Sequence, residues 1–300
     1  MTLIGAIECG MGIVLCADRQ ETITDYAKWD CCKIAQFEMQ GTHRIFMVGA
    51  GDSDIIEMTQ DSLKDRWGSM GSLSPADIRK EIVQIVSDVT TQSIMPYPEG
   101  QRPGVEIIWA IQPINPNGPI ELFRTRNFTV NTIKRYYFTG NPILLAHYLS
   151  DMYLLPHIYT VSEAESLAAY ILWECKEYDP TVGKHSDIVS LSWDGTMRRM
   201  SRAEEGYWEE HFFELKKAVQ LLPILSCSDK VLNAIYDPED RMARFRVALA
   251  TLAREQKKIR DGTYKAGTSL GDLIQTQVKR DFDRRNKRKK QPTMPSDSQT

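Results

Sequence analysis

The sequence lacks most of the features that mark specialised protein classes. No apolar run approaches the roughly 18 residues that suggest a membrane-crossing helix. Charge of neither sign is in excess: 37 Lys and Arg against 40 Asp and Glu leave a net charge of −3, so general attraction to nucleic acid or to an anionic membrane is not expected. The five histidines, His43, His147, His157, His185 and His211, show no HExxH spacing, and no cysteine lies at ligand spacing from them, so nothing supports a metal site. The six cysteines, Cys9, Cys16, Cys31, Cys32, Cys175 and Cys227, form no CxxC pair, and adjacent Cys31 and Cys32 can close only a strained ring. Reduced, mostly buried thiols are expected. No GxxxxGK[ST] run and no glycine-rich strand-to-helix loop occurs, so no nucleotide or other cofactor is implied. The N-terminus has no basic region, long apolar segment or small-residue cleavage site, and a cytoplasmic location is the expectation. A GxSxG match at 267–271, GTSLG, follows no buried strand, and no histidine follows His211 to complete a triad.

What is present is an ordinary globular composition, 42% hydrophobic and 26% charged over 300 residues, enough for a large core. LIGAIE (3–8) and GIVLCA (12–17) read as strands around a turn at Gly10 and Gly12, and RIFMVGA (44–50) as another. A helix is expected from about Asp54 to Trp67. A second starts after an N-cap at Ser74 with Pro75 at its first position, and Ile78, Ile82, Ile85 and Val89 make one buried stripe. Strands resume at 105–112, 120–126 and 132–140, followed by helices over roughly 142–154 and from Ser162, where Glu165 completes a capping-box pattern. DIVSLSW (187–193) and the turn at Asp194–Gly195 lead to a last short strand. Several strands are apolar on both sides, which suits covered sheets, so residues 1–202 are expected to form one domain of stacked sheets between helical layers. Residues 203–275 read as a helical extension, and 276–300, with the charge run VKRDFDRRNKRKK, as a solvated tail.

Removal of Met1 is efficient before a small residue such as Thr2. A terminal threonine unites a nucleophilic hydroxyl with an α-amine whose reference pKa of about 7.7–8.0 suits it to accept a proton. Such a residue needs an anchored strand, a nearby cation to depress the amine pKa, and a carboxylate to hold that cation. Taken singly, Thr2 is a common start, Asp18 an ordinary strand-closing residue and Lys33 an ordinary solvated edge.

Together the residues form a pattern. TLIGAI, then GIVLCADR, then KI, then FMVGAGDSD resemble, in order and spacing, the proteasome β-subunit family of N-terminal-threonine hydrolases, above all its short bacterial members that begin Met-Thr. The resemblance covers roughly residues 2–200 and implies an α+β fold, a four-layer αββα sandwich, with a helical C-terminal extension here. It implies Thr2 as nucleophile, Lys33 as the cation tuning its amine, Asp18 as the carboxylate holding Lys33, and Gly49 as oxyanion donor. GAGDSD is one residue longer than the family spacing, so Ala50 or Gly51 remain alternatives for that donor, and Met47 would line the specificity pocket. In FTGNP, Asn141 stands where the family has a serine; in YDPTVGKHSDI, Asp179 and Gly183 match while Val182 replaces a second serine. The implied activity is a threonine-type endopeptidase with no cofactor, taking a peptide or unfolded protein, assembled as a homo-oligomeric ring or barrel; no ATPase partner is identified by the sequence. Two other readings stay open: an amidase of the same mechanistic class acting on a small molecule, and a catalytically silent ring subunit.

Overall fold

A computed structural model of the chain describes residues 2–22, 28–39, 41–67, 73–115, 118–153 and 160–227. The tail expected at 276–300, the GTSLG segment, His157 and most of the helical extension expected over 203–275 lie outside the described residues. The elements are β1 (Leu3–Cys9), β2 (Gly12–Asp18), β3 (Gln20–Thr22), β4 (Lys28–Asp30), β5 (Ile34–Met39), β6 (His43–Gly51), α1 (Ser53–Trp67) and α2 (Pro75–Val89). They continue with β7 (Val105–Pro113), β8 (Glu121–Arg126), β9 (Thr129–Thr132), β10 (Tyr136–Gly140), α3 (Ile143–Tyr153), α4 (Val161–Tyr178), β11 (Ser186–Ser192), β12 (Met197–Arg199) and α5 (Arg202–Cys227). Chain packing separates two units, Met1–Glu209 and Glu210–Thr300, with the boundary inside α5. Of the second unit, the described part is the remainder of that helix.

Two five-stranded antiparallel sheets make up the first unit, ordered β10-β1-β2-β11-β12 and β5-β6-β7-β8-β9; β3 and β4 form a separate short ribbon. The pleat sorts their side chains. Ile4 and Ala6 of β1, Ile13, Leu15 and Ala17 of β2, Phe46, Val48 and Ala50 of β6, and Ile108 and Ala110 of β7 meet in the layer between the sheets. Their alternates Ile45, Met47, Ile107, Trp109 and Ile111 turn the other way and pack with Ile55 and Leu63 of α1 and Ile78, Ile82 and Ile85 of α2. Helix α4 covers β1, β2 and β11, and α3 covers β10. The result is the four-layer αββα sandwich, and it explains why β2 is buried at all seven positions: both its faces are covered.

The Ser74 cap of α2 is as expected, its side chain accepting from the Asp77 N–H with Pro75 inside the first turn. Two expectations are corrected. Residues 132–140 are two strands in different sheets: β9 ends at Thr132, and β10 begins at Tyr136 after Arg135 turns the chain with φ of 69°. Helix α4 is capped by Thr160, with Glu163 in the reciprocal position. Glu165 is instead buried, accepting from the Ser190 hydroxyl at 2.6 Å and from Arg198. The thiols also divide: Cys9, Cys16 and Cys175 are buried, but Cys31 is half-buried and Cys32 exposed. Burial pushes the Cys175 thiol up to about 12, which keeps it protonated and inert. Among the described residues, no helix is long and apolar enough to cross a membrane.

Because Phe46 is wholly buried between the sheets, Phe46→Ala is expected to cost about 3–5 kcal/mol in urea-induced unfolding. A loss below about 1 kcal/mol would contradict the assignment of this layer as the core.

Candidate active site

The start of β1 sets the site. Ile4 and Ala6 face the inter-sheet layer, so Thr2, two residues before Ile4, continues that row to the mouth of the sandwich. Its backbone is tied to β10, which pairs Leu3 with Gly140, and the Asn141 N–H donates to the Thr2 carbonyl at 3.2 Å. The approach is close enough that a Cβ on Gly140 would sit 1.6 Å from that carbonyl oxygen, and Gly140 holds a φ of 106°; only glycine meets both conditions.

Asp18, the last residue of β2, is wholly buried. A buried carboxylate is tolerated only when its lone pairs are met, and here four donors meet them. Oδ1 accepts from the Leu3 N–H at 2.8 Å and from Lys33 Nζ at 3.1 Å; Oδ2 accepts from the Gln20 N–H at 3.1 Å and the Gly183 N–H at 3.0 Å. Lys33 comes one residue before β5, its side chain 9% exposed. Its ammonium donates to Thr2 Oγ1 at 2.8 Å, to Asp18, and to the carbonyl of Gln20. Carboxylate, ammonium and hydroxyl therefore form one connected line.

The remaining expected residues fall at graded distances from that line. Ile34 pairs with Val48, so one step further the register sets Lys33 opposite Gly49 on β6. Gly49, Ala50 and Gly51 all follow the last β5–β6 rung, Gly49 immediately after it, and Gly51, with φ of 119°, still pairs with Val105 of β7. Asn141 reaches Thr2 through its backbone. Asp179 caps the C-terminus of α4, and its carboxylate accepts from the N–H and hydroxyl of Thr181 at 2.8 and 2.6 Å, while its carbonyl accepts from Val182. It shapes the turn that delivers the Gly183 N–H to Asp18. Val182 is buried. Met47 is wholly buried on the helix side of its sheet, in the core with α1 and α2.

Gln20 and Gly183 carry contacts that sequence reasoning did not assign to them. Both act through backbone groups, which every residue possesses, so side-chain chemistry gave no signal. For Gly183 the glycine itself was the clue: a Cβ there would lie 2.2 Å from the Gln20 Cβ. An open groove of about 760 Å³ shares Gln20 with the site and is also lined by Arg19, Trp173, Val182 and Lys184. Among the described residues, no group of three or more His, Cys, Asp or Glu is placed to hold a metal ion.

Lys33 and Asp18 gather at Thr2, the residue before β1, within a fold of two packed antiparallel sheets between helical layers. Solved structures of Anbu share that fold. Anbu from Yersinia bercovieri, described as an ancestral β-subunit, superposes with a TM-score of 0.62 at 13% identity, over 73% of this chain and 97% of that one. A Gly-1 mutant of Anbu from Hyphomicrobium sp. strain MC1 gives 0.61 at 13% identity, over 73% and 97%. Anbu from Pseudomonas aeruginosa, seen as a helical assembly, gives 0.61 at 13% identity, over 79% and 98%. At that identity the likeness is one of fold. No protein-family model matches the sequence, and no curated protein does.

Asp18→Asn would turn an amide NH₂ toward backbone N–H donors and leave the Lys33 charge without its partner. It is expected to cost about 3–5 kcal/mol in denaturant unfolding, whereas Asp61→Asn, on an exposed helix face, is expected to leave the midpoint unchanged. Equal midpoints for Asp18→Asn and the native chain would contradict the four-donor arrangement.

Proposed function

We propose that the chain is a threonine-type peptidase whose nucleophile is the Thr2 hydroxyl, freed to act by removal of Met1. The observation that carries this reading is the 2.8 Å contact from Lys33 Nζ to Thr2 Oγ1, with Lys33 itself held by buried Asp18. A fixed ammonium beside the terminal residue favours the unprotonated α-amine and stabilises the hydroxyl oxygen as its proton leaves. In the proposed reaction the Thr2 amine takes the proton from Oγ1, and Oγ1 bonds to the peptide carbonyl carbon. The amine then passes the proton to the departing peptide nitrogen, leaving an acyl ester that water hydrolyses. The Gly49 N–H, opposite Lys33 in the register, is proposed to meet the developing oxyanion, a contribution typically of about 10²–10³ in rate. The Asn141 and Asp179 roles are positional: one holds the Thr2 carbonyl, the other the turn that serves Asp18.

The Pseudomonas aeruginosa Anbu of the same fold is a helical assembly. We extend this to a homo-oligomer here, in a cytoplasmic setting. A second reading, a silent subunit of such an assembly, is favoured by one observation: Asn141 and Val182 replace the two serines of the resembling family.

Incubation of the purified chain with a peptide epoxyketone, which captures a hydroxyl and amine on one residue, distinguishes the two. The expected adduct maps to Thr2, is absent in Thr2→Ala, and forms about 10²–10⁴ times more slowly in Lys33→Ala. An intact mass that retains Met1 would support the silent subunit, and labelling that persists in Thr2→Ala would overturn the nucleophile assignment.

A further inference from the structure

Glu106 is the one charged residue in the strand VEIIWAIQ, and it is buried. Ile108 and Ala110 of the same strand line the inter-sheet layer, so Glu106, two residues before Ile108, stands in that layer too. It occupies the same end of the layer as Thr2, because Glu106 pairs with Ala50, next to Gly49 on β6. Its carboxylate reaches across to the other sheet. Oε2 accepts from the Thr139 hydroxyl at 2.8 Å, and Oε1 accepts from the Tyr137 hydroxyl at 2.6 Å and from Arg124 of its own sheet. The Arg124 guanidinium also lies 4.2 Å over the Tyr137 ring and donates to its hydroxyl. Burial and the bond to Glu106 push the Tyr137 phenol up to about 12, so it remains a donor. Thr139 is the residue before Gly140, and the two pair with Ile4 and Leu3 of β1, while Asn141 bonds the Thr2 carbonyl.

We infer that Glu106 is a positioning residue, a polar strut between the sheets that sets the Thr2 end of one against the Gly49 end of the other. An apolar residue at 106 would fill the same space, but its contact with β10 would have no direction. Hydrogen bonds from Thr139 and Tyr137 fix both the separation and the offset of β10 against β7. The inference rests on the proposed function for its catalytic consequence only; the mechanical claim stands apart from it.

The test uses Thr139→Val, which removes the bond to Oε2 without changing the side-chain shape, and Tyr137→Phe, which removes the bond to Oε1. Amide hydrogen exchange of the full chain is read at Asn141 and Leu3. In Thr139→Val both are expected to exchange about tenfold faster, with β8 and β11 unchanged, and Thr139→Ser is expected to restore protection. Exchange that is unaltered at Asn141 and Leu3 in both variants would overturn the strut, as would a uniform increase throughout the first unit. With the epoxyketone probe, the limiting adduct rate of Thr139→Val is expected to fall about tenfold at an unchanged half-saturating concentration. A native chain that takes no adduct would sink the peptidase reading, leaving exchange alone to decide the strut.

Discussion

The carboxylate of Asp18 is the point on which the structure of this site depends. It has no access to water, and its two oxygens draw donors from four separate places in the chain: Leu3, Gln20, Lys33 and Gly183. Leaving any of these donors unmet in a buried setting costs more than a typical exposed hydrogen bond contributes. The four segments are therefore held together by a common acceptor, and the ammonium of Lys33 is aimed at Thr2 as a by-product of that constraint. The hairpin of β1 and β2 supplies the rigid mount, since its inter-sheet face is packed against Phe46, Val48 and Ile108.

Much of the sandwich was legible because its signals are local. The hairpin at the start, the Ser74 cap and the isoleucine stripe of α2 each follow from a few neighbouring residues. What was not legible has identifiable causes. TIKRYYFTG contains no glycine or proline before its end, so nothing marks the break at Arg135, where an arginine adopts a left-handed backbone. The capping signal of α4 occurs twice in overlap, as TVSE and SEAE, and only burial of Glu165 against Ser190 decides between them. The ribbon of β3 and β4 is three residues on each side, too short for alternation to register.

The site divides along the same line. Thr2, Asp18 and Lys33 are side-chain types at characteristic spacings, and the fold brings Lys33 within hydrogen-bonding range of both others. The order in which Gly49, Ala50 and Gly51 follow the end of β5 could not be read from spacing, because it depends on the pairing of β5 with β6. The donors from Gln20 and Gly183 belong to the backbone and leave no trace in residue type. Glu106 did leave one, as the lone charge of its strand, but its meaning depends on Thr139 and Tyr137 in the opposite sheet.

The strand order carries a consequence for synthesis. β1 is flanked by β2, its immediate neighbour in the chain, and by β10, which emerges from the ribosome more than a hundred residues later; Gly183 comes later still. Long-range pairings of this kind form late. β1 is thus made long before its outer partner and is among the last strands to be locked in place. Until β10 arrives, the backbone of Thr2 lacks the Asn141 contact that later holds it.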